Sequence, residues 1–122
     1  MAKKEHIRDF AIKWCNKFQN DGTNYLELIE HYMADDCDAL GFEMDCGQAF
    51  SEKYGCAVND YNELIKIIDD VFDISLLGSA IYSQWRCFNH WSYMGSEILE
   101  PKNRKWFIVA LNRLKDLAEQ DQ

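Results

Sequence analysis

Residues 74–93 read ISLLGSAIYSQWRCFNHWSY. At about 100° per helical residue, Ile74, Leu77, Gly78, Ile81, Trp85 and Phe88 fall within one arc, the apolar stripe of a core-facing helix. The opposite arc carries Ser75, Ser79, Tyr82, Arg86, Asn89, His90 and Tyr93, a row of hydrogen-bonding groups without a carboxylate. Arg86 is the one formally charged residue between Ile74 and Ser96, in a chain of which 28% is charged. The pattern predicts a central helix with the rest of the chain folded against it. Asp73 is placed to cap its N-terminus and Gly95 to end it. Glycine inside a helix costs about 1 kcal/mol relative to alanine, so Gly78 predicts the close approach of another backbone.

The same stretch is too polar to cross a membrane. Arg86 and seven polar side chains interrupt it, and the insertion penalty would fall near the bilayer centre. The first ten residues, MAKKEHIRDF, lack the apolar core and cleavage site of a secretory signal, so a cytoplasmic protein is expected. Cys15, Cys37, Cys46, Cys56 and Cys87 are odd in number and scattered. Without an export signal they read as reduced thiols.

Working outward, the flanking segments are also helical in period. Lys3–Asn20 sets Ile7, Phe10, Ala11, Trp14 and Phe18 on one face. Asp21-Gly22 breaks it, and Asn24 with Glu27 forms a capping box for a helix to about Ala34, with Tyr25, Leu28, Ile29 and Tyr32 inward. Residues 35–59 lose this regularity: Gln48–Tyr54 reads as a short helix stopped by Gly55, and the remainder as loop. Asp60 and Glu63 offer a second capping box for a helix to about Phe72, with Tyr61, Leu64, Ile65, Ile68 and Phe72 apolar. Pro101 opens a last helix to Ala118, whose inner face is Trp106, Phe107, Ala110, Leu111, Leu114 and Leu117. One proline and six glycines in 122 residues suit helices better than turn-rich sheets. The expectation is an all-α protein: a single domain over residues 1–122, a compact bundle of about five helices with a loop-rich acidic segment between helices 2 and 4.

Charge is unevenly spread. The net charge is −8, yet residues 1–20 carry +3, residues 21–73 carry −12 and residues 74–122 carry +1. The middle third is thus an acidic slab that repels nucleic acid and anionic lipid and attracts basic partners.

Motifs for chemistry are few. The cysteines lack the close pairing of zinc ligands, and Asp36, Asp38 and Gly41 resemble the start of an EF-hand loop that fails at Leu40 and Gly47. No metal or cofactor is therefore expected. Glu27 and Glu30 on one helix, with Asp70 and Asp73 on another, could hold Mg²⁺ against a triphosphate. These four residues resemble the all-α nucleotide pyrophosphohydrolases of the MazG type. That resemblance implies a Mg²⁺-dependent hydrolase, although the family's doubled-glutamate motif is missing. Arg86 and His90 resemble the Arg and His of HEPN ribonucleases, with a shorter spacer and without the basic surface that RNA requires. Arg86 is expected instead to pair with an acid of the middle third. A cysteine nucleophile served by His6, His31 or His90 lacks an oxyanion-loop signal.

With no catalytic constellation, the charge asymmetry leads. The expectation is a non-enzymatic protein that presents Asp35, Asp36, Asp38, Glu43 and Asp45 to a basic protein partner, without binding nucleic acid or membrane itself. In size and charge such a domain looks like toxin-immunity proteins and phage-encoded anti-CRISPR inhibitors, which occlude a nucleic-acid-binding cleft. Electrostatic complementarity would speed association and the abundant aromatics would prolong it. The alternatives are the Mg²⁺-dependent hydrolase and a homodimer whose polar stripe, Tyr82, Arg86, Asn89, His90 and Tyr93, lines a small-molecule pocket.

Overall fold

The computed structural model describes residues 4–19, 33–45, 47–57, 60–91 and 101–120, with the side chains of 88–91 left aside. Among these residues the protein is all-helical, without a strand. Six α-helices follow in order: α1 (Lys4–Gln19), α2 (Met33–Ala39), α3 (Gln48–Tyr54), α4 (Tyr61–Ile67), α5 (Ile74–Trp91) and α6 (Pro101–Gln120). A 3₁₀ turn, Ile68–Asp70, follows α4.

Helix α5 is the element on which α2, α3 and α6 converge, while α1 packs most extensively against α6. From Leu77 to Trp85 every residue of α5 is buried, polar ones included. The apolar arc behaves as its spacing predicts, with Leu77, Ile81 and Trp85 fully buried. Trp85 packs edge-on against Trp14 of α1, ring centroids 5.5 Å apart. The expected faces of α1 and α6 are buried as well, and Phe18 stacks on Phe107 at 4.6 Å with an interplanar angle of 3°. Arg104 of α6 donates through Nε and Nη2 to the Phe18 carbonyl, so a cation satisfies a carbonyl at the C-terminal end of α1.

Gly78 accommodates a ring rather than a backbone. A Cβ there would land on the Phe42 side chain. Phe42 is delivered by the turn after α2: Gly41 takes φ +79°, its N–H bonds the Asp38 carbonyl at 3.1 Å, and the Phe42 N–H bonds the Cys37 carbonyl at 3.0 Å. This is a Schellman ending, in which a left-handed glycine reverses the chain and returns the next side chain to the helix. Residues 35–39, expected as loop, are therefore helical. Met33, Ala34 and Cys37 form a short buried stripe that holds them against α5. The expected helix over residues 24–32 lies outside the described residues.

The segment after α4 departs most from its periodicity. Asp60 caps α4 as expected, accepting the Glu63 N–H at 3.1 Å. The helix ends at Ile67 instead of running to Phe72, tightening through the 3₁₀ turn and then extending at Val71. Changing from 3.6 to 3.0 residues per turn rotates the following side chains. Val71 becomes fully buried, while Phe72, expected in the core, is 63% exposed; Ile65, also expected in the core, lies within α4 ahead of the turn and is 45% exposed. Arg113 of α6 fixes the new course, donating from Nε to the Val71 carbonyl at 2.8 Å and from Nη2 to the Asp69 carbonyl at 3.0 Å.

Candidate acidic interface

The five acids expected to meet a partner divide by what they touch. Asp36 is half-buried: its Oδ2 accepts from Lys13 Nζ at 2.9 Å and from the Trp14 indole N–H at 2.8 Å. Trp14 is fully buried, so its N–H requires an acceptor and Asp36 supplies one. Asp38 accepts the Tyr82 hydroxyl at 2.8 Å. Asp45 caps α3, taking the Gly47 N–H at 2.9 Å and the Ala49 N–H at 3.2 Å. Asp35 and Glu43 are exposed, and neither carboxylate pairs with a described residue. The Glu43 backbone is nonetheless fixed, because Ser79 of α5 donates its hydroxyl to the Glu43 carbonyl. Asp36 and Asp38 thus tie α2 to α1 and α5, Asp45 caps α3 locally, and Asp35 and Glu43 are left without a partner among the described residues.

The bond to Asp38 raises the Tyr82 pKa, helped by burial and the Asp38 charge and opposed by Arg86. The nearby Cys37 thiol is pushed up by burial, with Asp36 and Asp38 adding to the effect.

A second acidic stretch lies on the 3₁₀ turn. Asp69 and Asp70 are exposed, and their carboxylates meet no described residue. The two lysines of residues 21–73 are engaged: Lys66 bonds Glu63 at 3.5 Å and Lys53 bonds Asp73 at 3.2 Å. Asp73 also caps α5, accepting the Leu76 N–H at 3.0 Å. Partial burial pushes its carboxyl up, but the Leu76 N–H, the Lys53 ammonium and the Ser75 N–H together hold it below the ordinary value.

Of the hydrolase carboxylates, Asp73 is committed to this cap and ion pair, Asp70 is exposed on the turn, and Glu27 and Glu30 lie outside the described residues. No group of three or more His, Cys, Asp or Glu is arranged to hold a metal ion among the described residues. Of the polar stripe on α5, Tyr82 is buried against Asp38. Arg86 is exposed and forms no ion pair with a described acid, while Asp21, Glu27 and Glu30 of the middle third lie outside the described residues. Asn89, His90 and Tyr93 lie outside the described side chains. A shallow groove of about 250 Å³ runs between α1 and α2, floored by Phe10 and Leu40 and flanked by His6 and Lys13. Cys15, Cys37 and Cys56 are buried free thiols and Cys87 is an exposed one. No helix among the described residues is long and apolar enough to cross a membrane.

Sequence reasoning missed the Lys13–Asp36–Trp14 cluster, for which one signal existed: a core tryptophan on α1 needs an acceptor, and the following acids supply candidates. Nothing local announced the Arg113 clamp, whose carbonyl acceptors lie more than forty positions away.

Compared with known proteins, the chain matches no family model, no curated protein and no solved structure.

Proposed function

We propose that this protein is a non-enzymatic binder that turns an acidic face toward a basic protein partner, in the manner of toxin-immunity proteins and phage-encoded inhibitors that cover a nucleic-acid-binding cleft. The observation that carries this reading is the imbalance left after internal pairing. Both lysines of residues 21–73 are paired within that stretch, yet Asp35, Glu43, Asp69 and Asp70 remain exposed without a described partner. Like charges held at a surface repel one another, and a cationic partner relieves that repulsion while speeding encounter. Exposed Met44, next to Glu43, and Phe72, two residues after Asp70, supply apolar surface on the same segments as the charge, the composition of a slowly dissociating interface.

The test is affinity capture from the native host lysate at low and at moderate salt. A stoichiometric basic protein retained at low salt and released as salt rises supports the reading. Recovery of an acidic or neutral partner whose retention ignores salt overturns it. Melting in Mg²⁺ with a nucleoside triphosphate separates the hydrolase alternative, since an inhibitor of this kind gains no stability from that mixture.

A further inference from the structure

Phe72 is the most exposed large apolar side chain among the described residues, at 63%, and its surroundings are rigidly built. The Tyr54 hydroxyl oxygen accepts both the Phe72 N–H at 3.3 Å and the Asp73 N–H at 3.1 Å. The Tyr54 ring meets the Phe72 ring edge-on, centroids 6.1 Å apart and planes at 87°. Val71, on one side, is anchored in the core and clamped by Arg113; Asp73, on the other, caps α5. Single exposed apolar residues are ordinary on protein surfaces; at Phe72 both neighbouring residues and its own backbone N–H are tied to other elements. A partner docking here would find the aromatic already ordered, without the usual entropic cost of fixing a side chain.

The ring already hosts a cation. Lys53 Nζ lies 4.7 Å from its centroid while pairing with Asp73 at 3.2 Å, so one ammonium is held by an aromatic face and a carboxylate together. Asp69 and Asp70, on the same short segment, offer two further carboxylates that meet no described residue. We infer that the Ile68–Asp73 turn is a docking surface on which Phe72 is the central anchor, and that its occupant is an arginine-bearing segment of a basic protein. A planar guanidinium stacks on the exposed ring and bonds an aspartate in the same pose, which an ammonium does less well. This inference rests on the reading of the protein as a binder of basic partners and specifies where the partner sits.

The probe is a short synthetic peptide alternating arginine and leucine, with a matched peptide carrying glutamine in place of arginine. Titration followed by amide chemical shifts should move the resonances of residues 69–73 first with the arginine peptide and leave them unmoved with the glutamine one. Phe72→Ala should weaken binding about 10- to 30-fold, the loss expected of an aromatic hot spot, without lowering the melting temperature. Asp69→Asn with Asp70→Asn should weaken it several-fold at low salt and flatten its salt dependence. Binding that survives Phe72→Ala but falls with Asp35→Asn and Glu43→Gln overturns the docking site while keeping the acidic-binder reading. No binding by the wild type overturns the docking site, and the reading then stands or falls on lysate capture. A concentration-dependent dimer that Phe72→Ala dissociates, with peptide binding unchanged, makes a second copy of the chain the occupant and likewise overturns the proposal.

Discussion

At the scale of single residues, the core is decided by a few packing and polar commitments. Gly78 is one of them: alanine would gain about 1 kcal/mol of helix propensity, but its methyl would meet the Phe42 ring. Overpacking of this kind costs about 1–3 kcal/mol, so Gly78→Ala is expected to be net destabilising by thermal or urea melt. Pairing it with Phe42→Leu should recover part of the loss, because the two changes share one contact. The thiols make a second test. Burial raises the pKa values of Cys15, Cys37 and Cys56, with Asp36 and Asp38 adding to the effect at Cys37, whereas Cys87 is exposed. Thiolates are the reactive form, so a maleimide followed by peptide mass spectrometry should label Cys87 rapidly and the three buried cysteines only on unfolding. Gly78 was legible in sequence as a point of close approach. That the visitor is a ring was not, because it depends on the turn at Gly41, 37 residues earlier in sequence and close to it only in the fold.

At the scale of elements, apolar periodicity located α1, α5 and α6 because each is long enough for its stripe to repeat. Short α3 was found through Gly55, which takes φ +64° and donates its N–H to the Ser51 carbonyl. The segment after α4 was misread for a physical reason. Residues 61–72 keep a helical apolar spacing, but Arg113 bonds two of its carbonyls from another helix and draws the chain out of helical geometry. Arg113→Ala should leave the Val71 and Asp69 carbonyls without these donors and cost about 1–3 kcal/mol, seen as early amide hydrogen exchange in 68–73. Asp73 links the turn to α5. Its folded-state pKa lies below the ordinary 3.8, so its stabilising contribution is complete above that pH and is lost as pH falls through the folded-state value. Asp73→Asn retains a capping side chain but removes the charge, so its melting temperature should fall less steeply than that of wild type below about pH 4. Asp73→Ala, which loses the cap, should cost about 1 kcal/mol at neutral pH.

At the scale of the whole molecule, a central helix organises the core and residues 21–73 carry the negative charge. That much was legible from residues 74–93 and from counting charges, since hydropathy and net charge need no geometry. The division of labour among the acids was not legible. Asp36, Asp38 and Asp45 stand beside Asp35 and Glu43 in sequence, yet their oxygens face Trp14, Tyr82 and the start of α3. Neutralising all five would therefore confound binding with folding, whereas Asp35, Glu43, Asp69 and Asp70 can be changed at the surface. The central claim, that these exposed carboxylates draw a basic partner, is tested most directly by the salt dependence of affinity for the captured partner, compared between wild type and the Asp35→Asn, Glu43→Gln, Asp69→Asn, Asp70→Asn variant. The account predicts that wild-type affinity falls steeply with salt, that the variant binds at least about 10-fold more weakly at low salt, and that the two converge at high salt. Equal affinities with equal salt dependence would contradict it.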